Sequence, residues 1–470
     1  MSAIIHFGAD GWRARLDDDF TEDNVVRVAD AAARVWSASN TGAIVYVAYD
    51  ARPEAEAYAR VVAGVLSGRG LVPKLSESYA PVPALAWAVS QDARACGGVM
   101  VTGSHHAADY LGIKFRVSDG GIGSLDFYEE LEDAVPSSPV AERGPYGSID
   151  IVGPYLSHLL ALIDVEAITD AHLKVVCDPM HGAARGYLAR ALRMAGVEVA
   201  ELHGGPGDPR DAIHPDPVEP WADECEGLVS STGACMGLLN DGDADQVGLV
   251  DERGRFVEPQ KVMALMLMHL CVNRGMNGRV VLDVAASRLT CRVAGALGQR
   301  VFLKPAGPVR IYMEVSKGDV LMGAGGSGAL TIPSLAAGPD GLLSALLLCE
   351  LVARTGMEPG SLIERAEFEF GRTSLARRDL RVGGAELEML RTILPGLNPP
   401  EIAGRVPVSV NHVDGVRLDF EDGSWLLVRP SGTEGAVRVY AEASTVTERD
   451  ELLEAGLMLA SGPLANGSPH

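Results

Sequence analysis

The sequence predicts an α/β protein in which three similar βαβ-type domains, each with a mixed sheet, and a C-terminal α+β domain surround a central cleft. Three observations predict this fold class. The chain has 470 residues, of which 47% are hydrophobic and 54 are glycines, so it is too long for one compact core and suits α/β domains with many tight turns. One strand-and-helix pattern occurs three times. The C-terminal part shows a different pattern, which is typical of antiparallel strands.

The repeated pattern begins with an apolar, β-rich run that ends in an aspartate, which is Asp50, Asp178 or Asp283. A helix-compatible stretch follows each run, at residues 55–66, 187–195 and 289–297. A second apolar run then ends in a loop of Gly, Ser or Asp, at residues 103–104, 241–245 and 323–328. Such units form mainly parallel sheets with ligand loops at the carboxyl ends of strands. Chance recurrence is the alternative, but the complementary chemistry of the loops favours three equivalent units that face one cleft.

The pattern of the C-terminal part predicts a small antiparallel domain. Residues 416–420 alternate in polarity, residues 421–424 give a turn signal, and residues 425–428 form the second strand of a hairpin. A third β run follows at residues 435–443. Breaks in these patterns place the four predicted domains at residues 1–150, 151–254, 255–369 and 370–470.

Composition argues against several classes of partner. The net charge of −23 opposes binding to nucleic acid or an anionic membrane, and an aromatic content of 5% opposes a stacking platform for single-stranded nucleic acid. The longest apolar segment, residues 262–272, is too short to span a bilayer, and no signal peptide is expected. The seven cysteines are scattered without a CxxC pair, which favours free thiols in a reducing cytoplasm.

Three carboxylates crowd one short loop, at Asp241, Asp243 and Asp245. Because like charges repel, this loop needs a cation or a basic partner, and hard oxygen ligands favour Mg²⁺ or Ca²⁺. An EF-hand loop is one alternative, since Glu252 falls at its twelfth position, but Gln246 stands where that loop needs glycine. A metal-free surface turn is the other alternative.

Ser104 follows a predicted strand in a segment with two histidines and a lysine, namely His105, His106 and Lys114. A serine exposed on such a turn can attack or carry a phosphoryl group. The alternative is that Ser104 only caps a following helix. The neighbouring basic residues and the acidic loop elsewhere favour the reactive serine.

A third segment, residues 429–433, offers a guanidinium, two hydroxyls and a glycine N–H. These groups belong to Arg429, Ser431, Thr433 and Gly432, and Arg438 adds a second charge. Such a set suits the oxygens of a phosphate. The alternative is a plain turn between two strands.

Four segments, in this order, resemble signature motifs of the α-D-phosphohexomutases, the family of phosphoglucomutase and phosphomannomutase. Residues 7–14, 102–114, 241–246 and 429–435 are similar to the motifs FGTDGWRG, TASHNPxxYNGxK, DGDADR and RPSGTEP. The resemblance covers essentially the whole chain. It implies four domains around a deep cleft, with one loop from each domain.

The resemblance also implies roles for individual residues. Ser104 would be the phosphoserine, Lys114 and Arg13 would lie beside it, and Lys114 or His105 would serve as acid or base. The implied Mg²⁺ ligands are Ser104, Asp241, Asp243 and Asp245. The implied substrate-binding residues are Arg429, Ser431, Gly432, Thr433, Arg438, Ser327 and Gly325.

The chain also departs from the family motifs. Gln246 replaces an arginine of the metal loop, and residues 106–107 replace Asn-Pro. Residues 323–329 correspond to the family's sugar-binding loop. Ser327 matches the serine of that motif, but Gly325 stands at the position of a glutamate and Ala329 at that of a histidine. Sugar recognition is therefore expected to be weakened or altered.

We expect a cytoplasmic, Mg²⁺-dependent phosphohexomutase that interconverts hexose 1-phosphate and hexose 6-phosphate through a phosphoserine and a bisphosphate. The expected partner is a small sugar phosphate, and the expected state is a monomer or homodimer. One alternative is a non-catalytic or regulatory paralogue that binds a sugar phosphate. Another is a mutase for an unusual sugar such as glucosamine phosphate.

Overall fold

The computed structural model describes residues 4–8, 10–16, 18–39, 42–140, 142–206, 214–431 and 435–466. These residues form four sheets. The elements of the first unit are β1 (Gly11–Arg15), α1 (Glu22–Ser39), β2 (Ile44–Tyr49), α2 (Ala55–Gly68), β3 (Val72–Ser76), α3 (Val82–Gln91), β4 (Ala95–Val101), β5 (Tyr110–Val117), α4 (Leu125–Ala134) and β6 (Gly147–Ile149).

The second unit follows along the chain. Its elements are α5 (Val152–Leu162), α6 (Val165–Asp170), β7 (Lys174–Asp178), α7 (Tyr187–Met194), β8 (Glu198–Glu201), α8 (Asp223–Thr232), β9 (Met236–Asn240), β10 (Val247–Val250) and β11 (Phe256–Val257).

The third unit begins with α9 (Pro259–Met268), which continues into a π-helical turn at His269–Asn273. Its other elements are β12 (Arg279–Asp283), α10 (Arg288–Ala296), β13 (Val301–Lys304), α11 (Pro308–Val315), β14 (Val320–Ala324), β15 (Leu330–Thr331), α12 (Gly341–Thr355) and α13 (Pro359–Phe370).

The fourth unit is an antiparallel sheet with helices. Its elements are β16 (Ser374–Arg381), α14 (Gly384–Ile393), a 3-10 turn (Leu394–Gly396), β17 (Pro407–Asn411), β18 (Val416–Phe420), β19 (Trp425–Pro430), β20 (Ala436–Ala443) and α15 (Val446–Asn466). The strand order is β16-β20-β19-β18-β17. The predicted hairpin is confirmed as β18 and β19, and the third β run as β20.

The first three sheets repeat one strand order. The common part is β5-β4-β2-β3 in the first sheet, β10-β9-β7-β8 in the second and β15-β14-β12-β13 in the third. In each, the first strand of this order is antiparallel to its neighbour and the other three are parallel. The predicted fold class, three similar mixed-sheet units and a C-terminal α+β unit, is confirmed. The predicted helices at 55–66, 187–195 and 289–297 are confirmed as α2, α7 and α10.

The repeat places the three predicted loops at equivalent positions. Each loop joins a parallel strand to the antiparallel strand that follows it, as β4 to β5, β9 to β10 and β14 to β15. Each aspartate of the pattern lies at the end of the central strand, which is β2, β7 or β12. The predicted limits between the domains stay predictions.

A shared apolar core holds the first three units together. It includes Tyr46 of β2, Tyr155 of α5, Leu188 of α7 and much of α12. The Tyr155 hydroxyl donates to Asp340 Oδ1 at 2.8 Å, immediately before α12. Because the units share one core, their loops are held in a fixed relation. Among the described helices, none combines the length and the apolar character needed to cross a membrane.

Candidate active site

Ser104 lies in the loop that joins β4 to β5. It is 1% exposed, with a φ of 50°, in the left-handed region that residues other than glycine rarely enter. Its N–H donates to the Thr102 hydroxyl at 2.8 Å, and Asp50 accepts from that hydroxyl at 2.8 Å and from the Gly103 N–H at 3.0 Å. A turn and then β5 follow Ser104, so the alternative in which it caps a helix is wrong.

The predicted metal loop, residues 241–245, joins β9 to β10, an antiparallel pair. An EF-hand loop needs flanking helices, so that alternative is wrong. Asp241, Asp243 and Asp245 are buried, so the surface-turn alternative is wrong as well. One oxygen of each carboxylate lies within 4.8 Å of the others. The Ser104 hydroxyl donates to Asp241 Oδ2 at 3.3 Å, so the fold brings the serine loop and the metal loop together.

These residues fit a hard divalent cation. Within the described residues, Oδ1 of Asp243 is buried and accepts no hydrogen bond. Three carboxylates beside a serine oxygen are ligands that Mg²⁺ and Ca²⁺ prefer. Burial, followed by the charges of Asp245 and Asp243, raises the pKa of Asp241 well above its usual value. The negative charge of the loop is therefore only partly balanced by the protein.

Lys114, on β5, brings a positive charge to the cluster. Its Nζ lies 2.8 Å from Asp243 Oδ2, 2.9 Å from Asp245 Oδ2 and 3.2 Å from Asp10 Oδ2. It also donates to Ser104 Oγ at 3.3 Å. Burial opposes the ammonium form, but the aspartates outweigh burial and raise the pKa of Lys114. The lysine is therefore protonated at neutral pH and directs a proton at the serine oxygen.

Arg13, on β1, reaches this cluster through Asp10. The pairing of β1 with β5 sets Gly11 opposite Lys114, and Arg13 Nη2 donates to Asp10 Oδ1 at 2.8 Å. Burial disfavours the charged form of Asp10, but Arg13 and then Lys114 hold its pKa far below the usual range. Asp10 thus links two cations of the site.

His105 is the third polar neighbour of the serine. Its Nδ1 lies 3.5 Å from Ser104 Oγ. Burial, followed by the charges of His106 and Arg13, lowers the pKa of His105 to about 3. The imidazole is therefore neutral at neutral pH and presents an uncharged ring nitrogen to Ser104 Oγ.

Gln246 ties the metal loop to the third unit. It forms an antiparallel bridge with Ala329, and the Val247 N–H donates to the Gly328 carbonyl at 3.2 Å. The Gln246 backbone N–H and side-chain amide donate to Asp241 at 3.1 and 3.4 Å. Gln246 therefore orients Asp241 without adding the positive charge of the family's arginine.

The loop from β14 to β15 contains Gly325 and Ser327. The Gly326 N–H donates to Asp283 Oδ2 at 2.9 Å, and Ser327 is exposed. A Cβ added to Gly325 would meet Asp283 Oδ2, its nearest neighbour, at 3.4 Å. A side chain at position 325 would therefore be in van der Waals contact with the Asp283 carboxylate.

Arg429, near the end of β19, is buried and already paired. Its Nε donates to Asp414 Oδ2 at 2.7 Å, and the Ala306 N–H of the third unit donates to the same oxygen at 2.9 Å. The Arg429 charge also acts on Asp283, whose pKa burial raises. Asp414 thus connects Arg429 with the third unit, which the sequence did not predict.

Two other residues of the predicted phosphate-binding set, Ser431 and Arg438, lie beside Arg429. Arg438 faces Arg429 across the β19–β20 pair, and Arg391 Nη2 donates to the Ser431 carbonyl at 3.0 Å. Gly432 and Thr433 lie outside the described residues.

Asp10, Asp50 and Arg52 belong to the site, although the sequence patterns did not predict a site role for them. Arg52 donates to four backbone carbonyls of the Ser104 loop, at 2.6 to 3.0 Å. The available signal was that Asp50 ends the first strand of the repeat and that Arg52 follows two residues later.

All four domain models of the phosphoglucomutase/phosphomannomutase family match the chain. The α/β/α domains I, II and III match residues 5–139, 153–254 and 258–368, and the C-terminal domain matches residues 397–457. The chain belongs to this family, the phosphohexomutases. It is therefore an isomerase, an intramolecular phosphotransferase of carbohydrate metabolism.

Relatives of two kinds span nearly the whole chain. A phosphoglucomutase/phosphomannomutase of Thermococcus kodakarensis is 27% identical over 461 residues, 96% of this chain and 98% of that protein. A phosphoglucosamine mutase of Frankia alni is 30% identical over 459 residues, 93% of this chain and 94% of that protein.

Solved structures show the same architecture. A protein of Thermus thermophilus, provisionally identified as a phosphomannomutase, superimposes with a TM-score of 0.87 at 30% identity, covering 98% of this chain and 100% of that one. An Aspergillus fumigatus N-acetylphosphoglucosamine mutase, in complex with GlcNAc-6P and magnesium, gives 0.61 at 14% identity, covering 99% and 96%. At that identity the likeness shows the fold alone.

Proposed function

We propose that this phosphohexomutase interconverts hexose 1-phosphate and hexose 6-phosphate through a phosphorylated Ser104 and a sugar bisphosphate. The observation that carries this proposal is the position of Ser104 Oγ, which lies 3.3 Å from both Asp241 Oδ2 and Lys114 Nζ. A serine between a carboxylate cluster and an ammonium suits phosphoryl transfer, because positioning and charge stabilisation supply most of that catalysis.

In the forward step, the bond between Ser104 Oγ and phosphorus breaks while the free hydroxyl of the sugar phosphate forms a new bond to phosphorus. Lys114 donates a hydrogen bond to Ser104 Oγ and stabilises it as the leaving oxygen. The neutral His105, whose Nδ1 lies 3.5 Å from the same oxygen, is a second candidate beside Lys114 to exchange the proton of Ser104 Oγ. The attacking hydroxyl lies on the opposite side of the phosphorus and releases its proton to solvent. The bisphosphate then turns over and returns its other phosphoryl group to Ser104.

Asp241, Asp243, Asp245 and the phosphorylated Ser104 would hold Mg²⁺, which when bound offsets negative charge on the transferred group. Three carboxylates leave coordination positions for a phosphoryl oxygen. Lys114 and Arg13, held by Asp10, supply fixed positive charge to the same group.

Arg429 and the segment after it would hold the phosphate that does not react. Arg429 can bind two oxygens in a forked geometry, and Ser431, Gly432, Thr433 and Arg438 complete the proposed set. Asp414 supports this function because it fixes the Arg429 guanidinium in place before substrate arrives.

Mannose and glucose phosphates are the substrates we propose first. Glucosamine phosphate is the second candidate, and two observations favour it. The Frankia alni relative is a phosphoglucosamine mutase, and Gly325, which has no side chain, lies next to the Asp283 carboxyl group, an acceptor for an amino group. Ser327 lies in the same loop and would contact the sugar.

A coupled assay tests the proposal. Mannose, glucose and glucosamine 1-phosphates are each supplied with a catalytic amount of the matching bisphosphate, and formation of the 6-phosphate is measured. We expect turnover of at least one sugar and dependence on Mg²⁺. No turnover of any of the three would contradict the proposed reaction.

We further propose that the enzyme works in the cytoplasm, as a monomer or homodimer.

A further inference from the structure

One guanidinium occupies the inside of the Ser104 loop. Nη1 of Arg52 donates to the carbonyls of Ala107 and Tyr110 at 2.7 and 3.0 Å. Nη2 donates to the carbonyls of Ser104 and His106 at 3.0 and 2.6 Å. The side chain of Arg52 is 13% exposed, so most of it is enclosed by the loop that it binds.

The fifth donor of the guanidinium faces Asp50. Arg52 Nε lies 3.3 Å from Asp50 Oδ2, and the Arg52 backbone N–H donates to Asp50 Oδ1 at 3.0 Å. Asp50 also accepts from Thr102 and Gly103. An arginine carries five N–H donors in a fixed plane. Here four of them bond to carbonyls of the serine loop, and Nε lies at ion-pair distance from the aspartate that supports the loop.

The sequence of the loop is adapted to this contact. A Cβ added to Gly103 would lie 2.3 Å from Arg52 Cζ and 2.5 Å from its Nε. Real Cβ atoms do not approach other atoms so closely, so only glycine lets the guanidinium pack under the loop next to Ser104.

We propose that Arg52 is a positioning residue that sets the backbone of Ser104 for phosphoryl transfer. Four carbonyl oxygens turned toward one cation define the path of the loop and hold Ser104 at its unusual φ of 50°. They also keep their partial negative charges on the side of Arg52, away from an incoming phosphoryl group. Arg52 bonds to carbonyls and not to Ser104 Oγ, so it acts through the backbone. The expected effect of Arg52 on kcat rests on the proposed function. The contact between Arg52 and the serine loop does not depend on that function.

Two variants and a matched control test the proposal. Lysine in Arg52→Lys keeps the charge but cannot reach four carbonyls in one plane, and Gly103→Ala displaces the guanidinium from the other side. The control is Arg274→Lys. Arg274 has a similar exposure of 15% and binds Glu350 and the Leu162 carbonyl far from the serine loop in sequence.

We expect kcat of both loop variants to fall by about 10- to 100-fold, because small misplacement of a reacting group costs this much. KM for the sugar phosphate should change less than about threefold, since Arg52 does not belong to the proposed phosphate segment. Arg274→Lys should keep wild-type kcat even if its thermal midpoint falls. A wild-type kcat in folded Arg52→Lys would overturn the inference.

Hydrogen exchange of the peptide that spans residues 102–114 provides a readout that needs no substrate. We expect exchange about tenfold faster or more in Arg52→Lys and unchanged exchange in Arg274→Lys, because loss of the bonds frees only this loop. Unchanged exchange in Arg52→Lys would overturn the inference by itself. If wild-type enzyme shows no turnover while the loop loosens, the proposed function fails and the structural role of Arg52 stands.

Discussion

At the scale of the residue, the site is a balance of buried charges. Lys114 lies among Asp10, Asp243 and Asp245 and still reaches Ser104 Oγ. An ammonium in this place stabilises carboxylates that would otherwise repel one another. The same ammonium remains protonated and can stabilise a serine oxygen when its bond to phosphorus breaks. One side chain thus serves both the stability of the cluster and its proposed chemistry.

The first prediction concerns Ser104. Purified protein should carry one phosphate, mapped to Ser104 by peptide mass spectrometry. Ser104→Ala should lose this phosphate and reduce turnover by roughly 10⁴-fold or more, because no other nucleophile takes its place. Ser344→Ala is the control, since Ser344 is also 1% exposed but lies in α12. Substantial activity in Ser104→Ala would show that the phosphoserine mechanism is wrong.

The second prediction concerns the metal. Mg²⁺ at about 100 times its Kd should stabilise the wild-type fold by about 2.7 kcal/mol, and Asp243→Asn should remove most of the resulting rise in thermal midpoint. Asp223→Asn should leave the rise intact, because Asp223 belongs to a separate and more exposed acidic group. Calorimetric scans with and without Mg²⁺ measure this difference. An undiminished rise in Asp243→Asn would exclude the buried aspartates as the metal site.

The third prediction concerns pH. His203 Nδ1 lies 2.9 Å from Asp178 Oδ1, and this hydrogen bond raises the pKa of His203 above 6.5. A raised histidine pKa stabilises the fold fully below the unfolded pKa, and this stabilisation is lost as pH rises through the folded pKa. The thermal midpoint of wild type should therefore fall more than that of His203→Gln between about pH 6 and about pH 8. Parallel curves for the two proteins would contradict this prediction.

At the scale of the element, the site depends on one connection used three times. The loops that follow β4, β9 and β14 each precede an antiparallel strand. Such a connection reverses the chain at the carboxyl end of the sheet, where ligand loops of parallel strands lie. The first two loops meet directly through Ser104 and Asp241, and the third contacts the second through Ala329 and Gln246.

The fourth prediction concerns the end of β19. Arg429→Ala should weaken binding of a hexose monophosphate by roughly ten- to a hundredfold, because a charge-assisted pair contributes about 1.5–3 kcal/mol. Arg429→Lys should recover only part of this loss, since a point charge cannot fork across two oxygens. Titration calorimetry measures the affinity of each variant for the sugar and for the sugar phosphate. Only the affinity for the sugar phosphate should fall, because the sugar alone cannot bind Arg429.

Asp414→Asn is the control for that experiment, because Asp414 holds Arg429 at 2.7 Å without forming part of the proposed phosphate segment. It should weaken binding less than Arg429→Ala does. Equal affinity of wild type and Arg429→Ala for the phosphate ester would remove this segment from the substrate site.

At the scale of the whole molecule, the fourth unit attaches to the third through a buried carboxylate. Glu442 of β20 is 1% exposed and accepts hydrogen bonds from Ser287 Oγ, from the Arg288 N–H at 2.8 Å and from Trp425 Nε1 at 2.5 Å. Ser287 and Arg288 begin α10, whose N-terminus favours a negative charge. Glu442 thus attaches β20 to the third unit. Because β20 pairs with β19, which leads into the predicted phosphate segment, the attachment lies close to that segment.

The fifth prediction concerns this junction. Glu442→Gln should lower the stability of the fold by about 1.5–3 kcal/mol, because charge-assisted bonds become neutral ones and one donor loses its acceptor. The thermal midpoint should fall. Glu454→Gln is the control, since Glu454 is 54% exposed on the side chain and binds Arg378 at the surface. Equal midpoints for Glu442→Gln and wild type would show that the junction contributes little.

Local sequence patterns were enough to locate several helices and strands and to indicate the chemistry of the loops. Helix-compatible stretches after each β run located α2, α7 and α10, and the position of each aspartate at a strand end revealed the threefold repeat. The dense carboxylates at residues 241–245 and the serine before two histidines indicated their chemistry. These features depend on neighbours along the chain, so local patterns contain them.

Which charged groups meet depends on the folded chain and could not be predicted from local patterns. Asp10, Arg52 and Asp414 act through partners that are distant in sequence or on other strands, and no local pattern reports such a partner. Packing of the first three units against one core set the 2.8 Å contact of Lys114 with Asp243, whereas the pairing of β18 with β19 brought Asp414 to Arg429. The energy of a buried charge depends on all the groups around it, and these groups come together only when the chain is folded.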